Sequence, residues 1–173
     1  SGDAFERITG KDFPNNFNSD NDENSLDTRS DDKGAEPEAI TTGVLDDKTY
    51  AFIGLERIGG IMVYDVSEPT EPSFVQYINN RDFTADVETS AVGDLGPEGL
   101  KFISPEDSPN GEALLVVANE VSGTTTIYEF TANQTLQGIP GDDDLIGGTG
   151  NDKINGLGVN DSLSGLGGND TIN

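Results

Sequence analysis

From Gly138 to its end the chain divides into nines: GIPGDDDLI, GGTGNDKIN, GLGVNDSLS and GLGGNDTIN. The sixth position is Asp143, Asp152, Asp161 and Asp170, the eighth is Leu145, Ile154, Leu163 and Ile172, and the first is always Gly. Nine residues suit half a turn of a flattened parallel β-roll. Six form a tight loop, which needs Gly where φ is positive or backbones approach closely. Three form a short strand whose aliphatic points into a narrow core. Loops two repeats apart then stack on one side. Their carboxylates and inward carbonyls offer the hard oxygens that Ca²⁺ takes at about 2.3–2.6 Å. Without a cation the stacked carboxylates repel one another, so binding and folding are expected to be coupled.

The charge balance sets further bounds. Asp and Glu number 33 against 9 Lys and Arg, a net charge of −24, with no His, Cys or Trp. Nucleic acid is excluded as an expected partner, because a polyanion is bound through Lys and Arg. Anionic membrane surfaces are excluded likewise. Ser–His–Asp hydrolysis, Cys/His zinc sites and disulfides lack their residues. Leu, Ile, Val and Phe still make up 42 of the 173 residues, enough to expect folding despite the charge. No run of 18 apolar residues and no basic-then-apolar leader is present, and the start at Ser1 is expected of a mature product or of a piece of a longer chain.

Three textures follow one another. Residues 1–36 are acidic and polar and read as a loop-rich segment leading into a folded part. Residues 37–131 carry short runs of Val, Ile, Tyr and Phe between Gly, Pro and Asp, which predicts strands. Residues 138–173 are the nonapeptide array. Within the middle part lies a larger repeat. Pro37-Glu38-Ala39-Ile40 answers to Pro97-Glu98-Gly99-Leu100 at an offset of 60, and YAFIGLERIGGIMVYDV from Tyr50 lines up with LLVVANEVSGTTTIYEF from Leu114 at an offset of 64. Glu56 then falls on Glu120, Gly59 on Gly123 and Tyr64 on Tyr128. Each unit predicts strands near 39–45, 50–55 and 61–66, or 99–104, 113–118 and 124–130, with a fourth at 73–78 in the first. Such units of about 60 residues have the build of a propeller blade. The expected fold is all-β: about two four-stranded antiparallel blades, near 37–80 and 97–131, followed by a short parallel β-roll.

Two resemblances attach to these motifs. The runs SDDKGAEPEAI, YAFIGLERIGGIMVYDVSEPTEPSFVQYINNRDF and DLGPEGLKFISPEDSPNGEALLVVANEVSGTTTIYEF resemble the last part of the choice-of-anchor I domain, over about residues 10–131. The resemblance implies a propeller-like module of secreted bacterial proteins, with members described as alkaline-phosphatase-like or esterase-like, and a chain that continues a larger propeller. Residues 138–173 resemble the repeats-in-toxin (RTX) pattern. That resemblance implies bound Ca²⁺ shared between stacked loops, with Asp143 paired to Asp161, Asp152 to Asp170, and loop carbonyls at Gly141, Gly150 and Gly168. Ile139, Leu157 and Leu166 depart from Gly at the second position, and Val159 departs from it at the fourth.

Weaker signals remain. Asp20-x-Asp22-x-Asn24 has the opening rhythm of an EF-hand loop, but Ser25 stands where Gly is needed and Asp31 where Glu is. A solvated acidic loop is the plainer expectation. Glu38, Glu98, Glu56 and Glu120 recur once per unit, which points to architecture before catalysis. The function expected is that of a secreted, extracellular calcium-binding protein, in which the blades are scaffold and the repeats aid folding and export. The partners expected are calcium ions, with missing blades or another copy covering the strand edges, and no catalytic residue is assigned. One alternative is part of a phosphoesterase, with Arg57, Arg81 and Lys101 as phosphate contacts. The other is a calcium-ordered surface adhesion module.

Overall fold

The computed structural model describes residues 2–45, 47–130, 135–146, 151–165 and 169–173. Among the described residues the fold is all-β apart from one short helix and a single 3-10 turn at Ser90–Val92. Two compact units divide it: Ser1–Ile103 with Leu115–Tyr128, and Ser104–Leu114 with Glu129–Asn173.

In the first unit, four strands form a sheet in sequence order: β1 (Pro37–Leu45), β2 (Lys48–Leu55), β3 (Ile61–Asp65) and β4 (Ser73–Ile78). All three pairings are antiparallel. The register sets Ala39, Thr41 and Gly43 of β1 opposite Gly54, Phe52 and Tyr50 of β2, and Ile40, Thr42 and Val44 opposite Ile53, Ala51 and Thr49. Alternation sends these two sets to opposite faces. A second sheet takes β5 (Pro97–Ile103), β6 (Ala113–Asn119) and β7 (Thr124–Phe130) in that order.

Phe102 of β5 stacks on Phe52 of β2, with centroids 5.7 Å apart and planes 13° apart. It lies where a side chain on Gly43 would have to go, and Pro97 closes in similarly on Gly54. The two sheets thus meet face to face, and β2 and β6 are buried along most of their length. The second sheet has three strands among the described residues, against four expected. The chain beyond β7 enters a different, parallel pairing at Thr135–Gln137 and so is not free to add a fourth.

The expected 60/64 repeat is visible in the backbone. The Gly59 N–H donates to the Leu55 carbonyl at 2.9 Å, and the Gly123 N–H to the Asn119 carbonyl at 2.9 Å. The Glu56 N–H donates to the Glu36 carbonyl at 2.8 Å, and the Glu120 N–H to the Gly96 carbonyl at 2.7 Å. Both turns therefore lean on the residue just before the Pro-Glu pair.

Residues 1–36 hold a helix that the sequence did not announce, α1 (Ala4–Asp12). Its apolar positions, Phe5 and Ile8, span only one turn, and Gly10 interrupts the pattern. It forms because Phe5 and Ile8, with Phe13 just beyond, pack on a core of Ala35, Leu55, Ile58, Met62 and Tyr64. Tertiary burial, not propensity, stabilises a helix this short.

In the second unit, short strands β8 (Thr135–Gln137), β10 (Lys153–Asn155) and β12 (Thr171–Ile172) form one parallel sheet, and β9 (Asp144–Ile146) and β11 (Ser162–Ser164) another. Partners are 18 residues apart, as in Lys153 with Thr135 and Ser162 with Asp144. Leu136, Ile154 and Ile172 stand in one row, and Leu145 and Leu163 in the other. The stack reaches back to Leu136, one period before the first nonapeptide.

Candidate functional site

Two groups of carboxylates stand out, one in each unit. In the first, Glu36, Glu38 and Glu56 bring one carboxylate oxygen each within 4.8 Å of the others. The turn after β2 carries Glu56, and the start of β1 carries Glu38. Glu36, immediately before β1, sits at a φ of 52°, where its counterpart Gly96 has 70°. That left-handed backbone suits Gly and strains a residue with a Cβ. The strain is offset by cations. Arg57 Nε donates to Glu36 Oε2 at 2.7 Å, Lys33 Nζ donates to Glu36 Oε1, and Arg57 Nη2 lies 3.1 Å from Glu56 Oε1.

The electrostatics follow from these contacts. Burial pulls Glu36 up, but the bonds from Lys33 and Arg57 hold it below the usual glutamate value. Glu56 is pushed up to about 7 by burial and by a hydrogen bond shared with Glu38, against the pull of Arg57. Glu98 is raised by an equivalent bond to Glu120. Each repeat therefore brings two glutamate side chains together, and in the first repeat a third acid and two cations join them. Three converging carboxylates have the oxygen chemistry to hold a cation, and here Arg57 and Lys33 supply the positive charge.

The acidic loop is organised by another cation. Arg81 is buried, and its Nη2 donates to the carbonyl of Asp20 at 2.7 Å, the carbonyl of Glu23 at 3.1 Å and Asn24 Oδ1 at 3.0 Å. Its Nη1 reaches the Arg57 carbonyl at 2.9 Å, and its guanidinium stands 4.6 Å from the Phe83 ring centroid. Burial lowers the guanidinium to about 10, which leaves it charged at neutral pH. The oxygens of the Asp20–Asn24 segment that converge do so on a guanidinium. Asp20 also lies 3.6 Å from Arg57 and 3.4 Å from Arg29. Arg57 and Arg81, the expected phosphate contacts, are thus engaged inside the chain, while Lys101 is exposed. Sequence reasoning singled out Arg81 but missed its role as an internal donor, because its partners lie 24 to 61 residues away with no shared pattern.

In the second unit the register stacks the expected ligands. The Asp143 N–H donates to Asp161 Oδ1 at 3.1 Å, and the Asp152 N–H to Asp170 Oδ1 at 2.9 Å. Asp143 Oδ2 also accepts the Ile139 N–H at 2.8 Å. The carboxylates of Asp161 and Asp170 lie where a Cβ on Gly156 or Gly165 would stand, so the repeat-initial glycine is needed for close approach. The carbonyls of Ile139 and Gly141 turn towards Gly158, at 3.1 and 2.7 Å from where its Cβ would be. Asp152 and Ile154 are buried. Gly150 and Gly168 lie outside the described residues. Leu157 takes a φ of 64°, and Val159 is exposed.

Residues 1–69 match the choice-of-anchor I domain. Gigasin-3a of Magallana gigas is similar over 139 residues at 27% identity, which covers 74% of this chain and 49% of that protein. The chain thus spans about half the length of the curated relative it matches. No solved structure matches. Among the described residues, no helix is long and apolar enough to cross a membrane.

Proposed function

We propose that the chain is an extracellular, calcium-dependent module, in which the two repeated sheets are a scaffold and the parallel stack is a fold that Ca²⁺ completes. The observation that carries this is the 18-residue register, which sets Asp143 over Asp161 and Asp152 over Asp170. The donor set is carboxylate and carbonyl oxygen throughout, as a hard cation requires. From Thr135 to the end there are six Asp and one Lys, so the segment lacks cations of its own. Ca²⁺ would supply charge compensation between neighbouring coils. Asp143, Asp152, Asp161 and Asp170 would hold it, with the carbonyl of Gly141 and, by repeat position, those of Gly150 and Gly168. The match of residues 1–69 to a choice-of-anchor domain supports placement at or outside the cell surface, where calcium is abundant enough to drive such folding. The roll then acts as a folding and export element.

The test is thermal melting followed by circular dichroism, with calcium and with chelator. Calcium is expected to add β signal and raise the melting temperature of a distinct transition. Identical curves in both conditions would sink the proposal.

A further inference from the structure

The chain holds two Asn-Gly pairs, Asn110-Gly111 and Asn155-Gly156. In such a pair the backbone nitrogen of Gly can attack the side-chain amide of Asn, because no Cβ stands beside it. The fold treats the two pairs differently. Asn155 ends β10 in register with Gln137, and its carbonyl accepts the Gly138 N–H at 2.8 Å. The nitrogen of buried Gly156 donates to the Asn173 carbonyl at 3.1 Å, and the Asp161 carboxylate crowds this glycine. That pair is held on both sides.

Asn110 and Gly111 are exposed, in the loop between β5 and β6. Gly111 has a φ of 80° and open space where a Cβ would stand. Its N–H makes a long bond, 3.4 Å, to the Ser108 carbonyl. The Asn110 amide is fixed by three partners of its own unit. Its Oδ1 accepts the Ser108 hydroxyl at 2.6 Å and the Glu112 N–H at 3.2 Å, and its Nδ2 donates to Glu129 Oε2 at 2.5 Å. Two donors thus point at the oxygen on which negative charge develops when the amide carbon is attacked, the arrangement of an oxyanion hole.

We propose that Asn110-Gly111 is a self-modifying site, at which the fold promotes conversion of Asn110 to aspartate and isoaspartate and so releases the loop of residues 104–112. The Gly111 nitrogen gives its proton to hydroxide and bonds to Cγ of Asn110. The carbonyl electron pair moves onto Oδ1, between Ser108 and Glu112. The pair then returns, the Cγ–Nδ2 bond breaks, and the departing nitrogen takes a proton from water and leaves as ammonia. A succinimide ring remains. Water adds to one of its two carbonyls, and the ring C–N bond opens to one acid or the other. The sum is amide and water to carboxylate and ammonium, with no change of oxidation state. The new carboxylate cannot donate to Glu129 and repels it, so the loop loses that tie. The inference uses no calcium and stands or falls apart from the function proposed above.

The 173-residue chain would be incubated in mildly alkaline buffer and mapped as peptides, with aspartate and isoaspartate separated. Asn110 should convert at least as fast in the folded chain as in denaturant, whereas Asn155 should convert only in denaturant. Ser108→Ala removes one donor from Oδ1 and should slow Asn110 about fivefold in the folded chain, with no change in denaturant. Asn110→Asp installs the product from the start and should raise hydrogen exchange over residues 104–112, while β1 to β4 keep their protection. Slower conversion of Asn110 folded than unfolded overturns the proposal, as does an unaltered rate in Ser108→Ala. Unaltered exchange in Asn110→Asp overturns the release of the loop.

Discussion

The two units handle the same chemical problem, crowded carboxylates, in opposite ways. In the first, cations are built in: Arg81 gathers the acidic loop, and Arg57 and Lys33 close on Glu36 and Glu56. In the second, stacked Asp side chains receive backbone N–H groups, and Lys153 is the one basic residue after Thr135. Where charge compensation is covalently part of the chain, the fold is self-sufficient. On the proposed function, compensation in the second unit is left to an ion, and such a fold would be conditional on the surroundings.

The largest expected effect separates the units outright. The double variant Asp152→Asn and Asp170→Asn should abolish the calcium-dependent gain in structure. Hydrogen exchange should then show residues 135–173 unprotected with calcium present, while β1 to β7 keep their protection. Loss of protection in both units would show that the conditional fold is not confined to the second. Next comes the built-in cation. Arg81→Met leaves several buried carbonyls without a donor and should cost about 3–5 kcal/mol in denaturant unfolding, with or without calcium. A calcium-dependent cost would break the comparison. Third, Gly43→Val drives a side chain into the Phe102 ring and should cost about 1–3 kcal/mol by overpacking, again without regard to calcium.

The fourth effect depends on pH. Glu56 is raised in the folded state to about 7 from an ordinary 4.5, so the folded chain binds more protons between these values. Its contribution is complete below the unfolded value and is lost as pH rises through about 7. Stability should therefore decline across that window by about 1–2 kcal/mol, and Glu56→Gln should flatten the slope in a melting series. A variant with the wild-type slope would remove Glu56 from the account. The smallest effect lies in the second unit. Leu157 is exposed and left-handed at 64°, so Leu157→Gly should stabilise the calcium-bound stack by about 0.5–1 kcal/mol. A loss of stability on chemical unfolding would show that the Leu157 side chain packs usefully.

What was legible in the sequence was what repeats. The 60/64 offset paired Glu56 with Glu120 and Gly59 with Gly123, because a tight turn needs its Gly and its neighbouring acid in each copy; the hydrogen bonds of those turns came only with the structure. The nine-residue period located the row of Leu145 and Leu163 and the row of Ile154 and Ile172 for the same reason. Leu136 escaped because its own loop lacks the Gly and Asp that mark the others. Glu36 was read as one more acid in a polar stretch, since only its left-handed backbone, seen against Gly96, shows that it stands where glycine belongs. Helix α1 and the Arg81 cage were illegible. Both are single events, set by burial and by contacts dozens of residues apart, and a pattern search has nothing to match against them.

The Arg81 cage carries a consequence for the order of assembly. The loop it holds begins at Asp20, and the guanidinium that holds it is 61 positions further along. On a growing chain, residues 20–24 emerge with their carbonyls directed at nothing, and they cannot settle until β1 to β4 and residue 81 have been made. Residues 20–24 are thus among the last of their unit to become ordered, a long-range closure of the kind that slows folding.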